Sequence, residues 1–336
     1  MPSTDWSEVI PDDEPARFER HAELLGKRQQ EQAKGATLGR ALHAKGNLGV
    51  EAELEILDGI PAETRVGMFA TPRTYRALAR FSNGAPGRHS DKKLDVRGLA
   101  IKVFGVEGKK LIPGMEDETT QDFLAIRTPV LPIKDAEEFM TIVRVGKPPA
   151  LMPVRMLTSL GLRRGVAVIR SALRGLKLPQ SPLAATSYYS ALPIKYGPYA
   201  VQYAFAAQEP PAPIRIATPD DLGDGLAARL RTAPVVYDFQ IRFFTDAAAT
   251  PIEDASVEWN SPWATVGRLT LPVQDPASPR GRRVAELVET LSFDPWHARE
   301  DLRPLGNIMR ARNVAYRTST KARGAVPEPR EVPQFE

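Results

Sequence analysis

Arg312 and Tyr316 stand four residues apart in the run RPLGNIMRARNVAYRTSTKAR. On a helix this spacing places both side chains on one face, one turn apart. Arg323 follows eleven residues after Arg312, about three turns on, and shares that face. A phenol beside a fixed cation ionises more readily, and a phenolate is a good ligand for ferric haem. The pair therefore points to a tyrosine-ligated haem. The same spacing also describes an ordinary surface pair, so the rest of the chain has to separate the two readings.

Other chemistries are narrowed by composition. The chain has no cysteine. That excludes disulfides, thiolate nucleophiles, thiolate haem ligation, cysteine-bound iron–sulfur clusters and cysteine-based zinc sites. The four histidines are His21, His43, His89 and His297, and none is paired at a metal-ligand spacing such as HxxxH. His43, in GRALHAKGNLGVEAELEIL, stands at the entrance of a predicted strand beside glycine-rich sequence. There it is placed either to face a pocket or to serve a structural role.

The elements that must position these residues follow from the hydrophobic pattern. The 336 residues are 42% hydrophobic and 26% charged, which suits a globular protein with one large domain or two small ones. Residues 14 to 34 read as an exposed amphipathic helix ended by Gly35. Val50, Ala52, Leu54 and Ile56 alternate with Glu51, Glu53 and Glu55, the pattern of a half-buried antiparallel strand. Strands are also expected over 75 to 82, 98 to 105 and 121 to 127, with a short helix over 135 to 145. A basic, Pro-bounded helical stretch over 151 to 178 is a candidate for packing on the exterior or for facing a membrane surface. Strand-like runs return over 186 to 207, 235 to 244 and 257 to 273. Helices over about 278 to 291 and 305 to 322 precede a Pro-rich tail.

Many antiparallel strands at short spacing, flanked by helices, predict an α+β fold with a closed antiparallel β-barrel. The segments divide into an N-terminal helical segment (1–35), a ligand-binding domain (36–325) and a flexible tail (326–336). No GxGxxG or GxxxxGK[ST] run supports a nucleotide fold, and no nucleic-acid motif accompanies the net charge of +4. No apolar run approaches the roughly 20 residues that span a bilayer. The polar N-terminus lacks a signal-peptide core, so a cytoplasmic location is expected.

Several blocks, in order, resemble the haem catalase superfamily. RALHAKG around His43 is similar to the distal histidine motif. Arg80-Phe81-Ser82, with Asp95, Arg97-Gly98 and Lys102, is similar to the RFS…D.RG.A.K block. TPVLPIKD (128 to 135) resembles TPVFFIRD, and YYSALPIKYGPYAVQY (188 to 203) resembles a segment of the small catalase-related branch. Arg312, Tyr316 and Arg323 match the proximal RxxxY block and its downstream arginine. The resemblance covers residues 20 to 325.

The resemblance implies a barrel of about eight strands with helices outside, binding haem b through its iron. Tyr316 would be the metal ligand, and Arg312 would hydrogen-bond the ligating oxygen. His43 would be the distal acid and base, with Ser82 orienting its ring. Arg40, Arg80 and Arg323 would pair with the haem propionates, and Phe139 would pack against the haem. The activity implied is that of a minimal haem peroxidase. It would reduce hydrogen peroxide or organic hydroperoxides through a ferryl intermediate, with an unnamed electron donor and weak catalase activity. The chain is much shorter than a full catalase, and a monomer or homo-dimer is expected.

The chain departs from the family at the distal run. Where catalases carry NNTP, this sequence has Ile126-Arg127-Thr128-Pro129, and both asparagines are lost. Strand alternation lets one of the first two residues face the pocket. Arg127 there would be a catalytic cation for the negative charge that develops as the O–O bond breaks. Ile126 there, the preferred reading, would make the pocket drier and suit an apolar hydroperoxide. The branch that rearranges fatty-acid hydroperoxides has Thr before the distal histidine, where this chain has Leu42. A fatty-acid hydroperoxide isomerase or dehydratase, and a haem-binding or sensing protein with little turnover, remain as alternatives. Weak lipid or membrane-surface contact is a further candidate through the helical stretch at 151 to 178.

Overall fold

Alternating apolar and acidic residues make β1 (Gly46–Ile56) a strand with two unlike faces. Val50, Ala52, Leu54 and Ile56 enter the core. Glu51 and Glu55 turn to the other face, where Arg280 and Arg268 meet them. The computed structural model describes residues 1–33, 39–145, 151–325, 328, 329, 331, 332 and 334.

The sheet continues through β2 (Arg73–Asn83), β3 (Arg97–Val103), β4 (Gln121–Ile126), β5 (Tyr188–Tyr189) and β6 (Ile194–Tyr196). It ends with β7 (Tyr199–Ala207), β8 (Val235–Phe243) and β9 (Trp263–Leu271). The order is β5-β4-β3-β2-β1-β9-β8-β7-β6, and β5 also pairs with β7. That second pairing closes eight strands into an antiparallel barrel and leaves β6 as a hairpin partner of β7. The closed barrel expected from the strand pattern is present.

Aromatic rings fill the barrel. Phe239 stacks on Phe69 at 5.4 Å and on Tyr203 at 5.8 Å, and Phe123 meets it edge-on at 5.2 Å. A barrel this full offers no interior ligand site, so binding chemistry belongs on its outer face. On β2, β3 and β4 that face carries lateral rows set by the register. Ser82, Gly98 and Ile126 form one row, Arg80, Ala100 and Leu124 the next, and Leu78, Lys102 and Asp122 a third.

The helices are α1 (Glu14–Ala33), α2 (Ala136–Val145), α3 (Met152–Leu160) and α4 (Leu162–Leu176), then α5 (Asp221–Leu230), α6 (Pro279–Thr290) and α7 (Asn307–Ala322). The basic stretch expected as one helical run is two helices. They break at Gly161, whose φ of 77° L side chains rarely adopt. α5 has no counterpart in the sequence-based expectation. α6 lies on β1, with Val284 and Val288 packed beside Leu78, Leu291 and Phe293. A Cβ on Gly49 would stand 2.8 Å from the Val288 side chain, so this glycine lets α6 approach the strand.

Two contacts reach the chain ends. Arg310 of α7 binds Glu8 and Glu14 from the N-terminal segment, and Glu253, all within 3.2 Å. Within 326–336, read from sequence as a flexible tail, Glu328 and Val332 are buried. Glu328 meets Lys102 at 2.5 Å and His297 at 3.1 Å, and Val332 packs with Leu78 and Phe293. The reason is local: Lys102 is wholly buried beside Asp122, and Glu328 supplies it with a second carboxylate.

Candidate active site

α7 presents Arg312 and Tyr316 on one face, as their spacing requires. The Arg312 guanidinium donates to the Tyr316 hydroxyl at 2.8 Å and lies 4.9 Å from the ring centroid. Burial works against the charge on Arg312. Tyr316, Tyr203 and Asp294 more than offset this and raise its pKa above the ordinary arginine value. The Arg310 ion network fixes the start of the helix. Asn307 adds hydrogen bonds to Glu14 and to the backbone N–H of Ala136 on α2. Arg310 was not among the residues singled out from the sequence, because its partners come from two distant segments.

His43 approaches the outer face of the barrel from the loop before β1. Its φ of 53° lies in the left-handed region, which is costly for a residue with a side chain. The surroundings hold it there. Its N–H donates to the Gly84 carbonyl at 3.1 Å, and its carbonyl accepts from Arg80 at 3.1 Å. The imidazole Nδ1 lies 2.9 Å from Ser82 Oγ. Behind the ring is Gly98, where a Cβ would stand 2.5 Å from the imidazole Cε1. Only glycine leaves room for the ring at this point of β3. Burial, and then the charges of Arg80, Arg312 and Arg40, push the His43 pKa down to about 3. The imidazole is therefore neutral at ordinary pH. Arg312 of α7 is thus one of three cations whose charge acts on His43.

The third group is a set of guanidiniums. Arg40 binds Glu289 at 3.0 Å and the Leu291 carbonyl at 2.9 Å. Arg80 binds Glu289 at 2.9 Å, and Arg323 donates to the Leu291 carbonyl at 2.8 Å. Burial, and then the positive charge of Arg80, lowers the pKa of Arg40 to about 9 and lowers that of Arg323. Burial raises the Glu289 pKa less than Arg80 and Arg40 lower it, so this carboxyl stays ionised. Arg40 and Arg80 thus share one carboxylate, and Arg323, bonded to a backbone carbonyl, adds a third cation beside them. Glu289 was also absent from the sequence-based candidates. Gly46 makes space for it, since a Cβ there would stand 2.1 Å from Glu289 Oε1.

Two sequence-based candidates stand apart from this group. Ile126, opposite Gly98 in the register, belongs to the row beneath His43. Arg127, one residue on, alternates to the other side. Its N–H donates to the Arg97 carbonyl and its guanidinium to the Pro179 carbonyl, both at 3.0 Å. Ile126 is thus the residue on the Gly98–Ser82 row, while Arg127 follows the end of β4 under the charges of Arg97 and Tyr188. Phe139 packs with Ile133, Met156 and Val168 in the apolar cluster of α2, α3 and α4. Its partners there are aliphatic side chains and not the His43–Ser82 pair.

A family model described as catalase matches residues 23–157. The chain is 28% identical over 315 residues to a catalase-related peroxidase of Mycolicibacterium paratuberculosis, covering 88% of this chain and 92% of that protein. A fungal catalase structure superimposes with a TM-score of 0.69 at 22% identity, covering 88% of this chain and 61% of its own. Catalase A from Saccharomyces cerevisiae gives 0.69 at 18% identity, covering 96% and 67%. A bacterial catalase gives 0.63 at 15% identity, covering 97% and 63%. The chain thus spans between 61% and 67% of the length of these solved catalases, and the likeness to them is one of fold. The matched family model, the peroxidase relative and the shared barrel together make the chain similar to catalases and catalase-related peroxidases.

Proposed function

We propose that the protein is a haem-dependent peroxidase that reduces hydrogen peroxide or organic hydroperoxides, with weak catalase activity. The observation that carries this reading is the Arg312–Tyr316 hydrogen bond on a helix whose cation also acts on His43. The donor set fits a haem. Tyr316 offers an oxygen ligand with a buried guanidinium at 2.8 Å. The excess positive charge around Arg40, Arg80 and Arg323 suits a ligand bearing two carboxylates. With no cysteine for thioether attachment, the group would be held without covalent bonds, as haem b is. When bound, a haem would supply the redox chemistry for the two-electron reduction of the peroxide.

The residues contribute the rest. Neutral His43 takes the proton of the incoming hydroperoxide and returns it to the oxygen that leaves. Ser82 holds the ring by Nδ1, which leaves Nε2 for the substrate. Arg312 fixes the position of the Tyr316 oxygen by donating to it. Arg40, Arg80 and Arg323 anchor the propionates. Gly98 lets the imidazole lie close to the sheet.

Ile126 on the His43 row supplies no hydrogen bond where catalases have asparagine. A second peroxide molecule is then poorly oriented, which favours oxidation of an external donor over disproportionation. The same apolar residue favours a second reading, a fatty-acid hydroperoxide isomerase or dehydratase. Stopped-flow spectroscopy of the haem-loaded protein with hydrogen peroxide beside a fatty-acid hydroperoxide separates the two. Donor oxidation supports the peroxidase, an isomerised product supports the second reading, and no reaction with either leaves a haem-binding protein. A cytoplasmic location and a monomeric or dimeric state complete the proposal.

A further inference from the structure

We propose that the outer face of the α3–α4 hairpin docks on an anionic lipid surface. Among the described residues, no helix is long and apolar enough to cross a membrane. α4 is nevertheless amphipathic twice over. One face packs Val168 into the cluster shared with α2 and α3, and the half-buried Ile169 borders the exposed stripe on the other side. On the opposite face Leu162, Val166 and Leu173 are 72%, 39% and 47% exposed. At 100° per residue these three fall within about 40° of each other and form one stripe along the helix. Val154 of α3 and Leu151 just before it add 60% and 47% exposed apolar groups to the same hairpin. The fold leaves this side apolar without using it as core.

The charge beside the stripe identifies the partner. By the same helical angles Lys177, Arg170, Arg163 and Arg174 lie next to Leu162, Val166 and Leu173, and all four are exposed. Residues 151–177 contain six cations and no Asp or Glu. Arg164, partly buried, pairs with Glu138 and ties the hairpin to α2. An exposed apolar stripe with a cationic flank and no acid is the pattern of a helix lying in a lipid interface. A protein partner would need acidic groups placed against each cation. A sheet of anionic headgroups meets them all without such matching.

The hairpin also adjoins the candidate site. A Cβ on Gly175 would stand 3.4 Å from Thr128, two residues beyond Ile126. The proposal concerns the surface alone and does not depend on the peroxidase reading.

Vesicle flotation of the full chain tests it. Vesicles of phosphatidylglycerol and phosphatidylcholine in equal parts should carry the protein, and added salt should release it. Each cation near an anionic surface strengthens partitioning roughly fivefold. The double variant R170E/R174E should therefore weaken partitioning by roughly 25-fold or more, and L162S/L173S should weaken it with unchanged circular dichroism. The proposal is overturned by no flotation with the anionic vesicles, by equal flotation with phosphatidylcholine alone, or by indifference to both double variants. It is also overturned if sedimentation without lipid shows a dimer that L162S/L173S converts to a monomer, since a second copy then owns the face.

Discussion

Gly98 and His43 form a fitted pair: the imidazole lies so close to β3 that a Cβ would come within 2.5 Å of its Cε1. Gly98→Ala must therefore displace the ring from Ser82. The variant should still bind haem, because the groups on α7 are untouched. Its reaction with peroxide should slow by about 10²–10³-fold, toward the loss expected without a positioned acid–base group. Stopped-flow rates at the Soret band check this, and an unchanged rate would remove the ring position from the account.

His43 fixes a pH dependence. Its pKa is pushed down to about 3 in the folded protein, below the ordinary 6.5. A base with a depressed folded pKa contributes stability that is fully present above pH 6.5 and is lost as pH falls toward 3. His43→Asn should flatten that part of the stability profile in denaturant melts of the apoprotein. The acid limb of the peroxide reaction in the parent protein should likewise fall well below 6.5.

Arg310 clamps the helix that carries Arg312 and Tyr316. Removing it leaves Glu8, Glu14 and Glu253 without their shared cation. Arg310→Ala should cost about 3 kcal/mol of stability, the scale of breaking a largely buried ion pair. Chemical denaturation measures this, and a change below about 0.5 kcal/mol would make the network a surface ornament.

Glu289 is the carboxylate that Arg40 and Arg80 share in the protein alone. Glu289→Gln should lower the melting temperature of the apoprotein more than that of the haem-loaded protein, where propionates take over the neutralising role. Equal losses in the two forms would separate the arginine group from haem binding.

Much of this was legible because it is local. The alternation in β1 fixes the faces of that strand, and the spacing of Arg312 and Tyr316 fixes their hydrogen bond. Glu289 was not legible. It is one acid on an amphipathic helix, and its bond to Arg40 spans 249 positions. Arg310 was hidden in the same way by partners near the N-terminus and at Glu253. The helix break at Gly161 was present in the sequence as a lone glycine, but a continuous basic pattern on either side masked it.

Register decides between Ile126 and Arg127. Ile126 shares a row with Gly98 and Ser82, whereas Arg127 turns to Arg97 and the Pro179 carbonyl. Ile126→Asn should raise oxygen release from hydrogen peroxide, and Arg127→Asn should not. An oxygen electrode distinguishes them, and the reverse order would contradict the strand placement.

The central claim is that Tyr316, held by Arg312, binds the iron of a haem. The most direct measurement is the absorption spectrum of the protein and of Tyr316→Phe after addition of ferric haem. The account predicts a high-spin ferric Soret band in the parent that is lost or strongly shifted in the variant. An identical spectrum in both would contradict it.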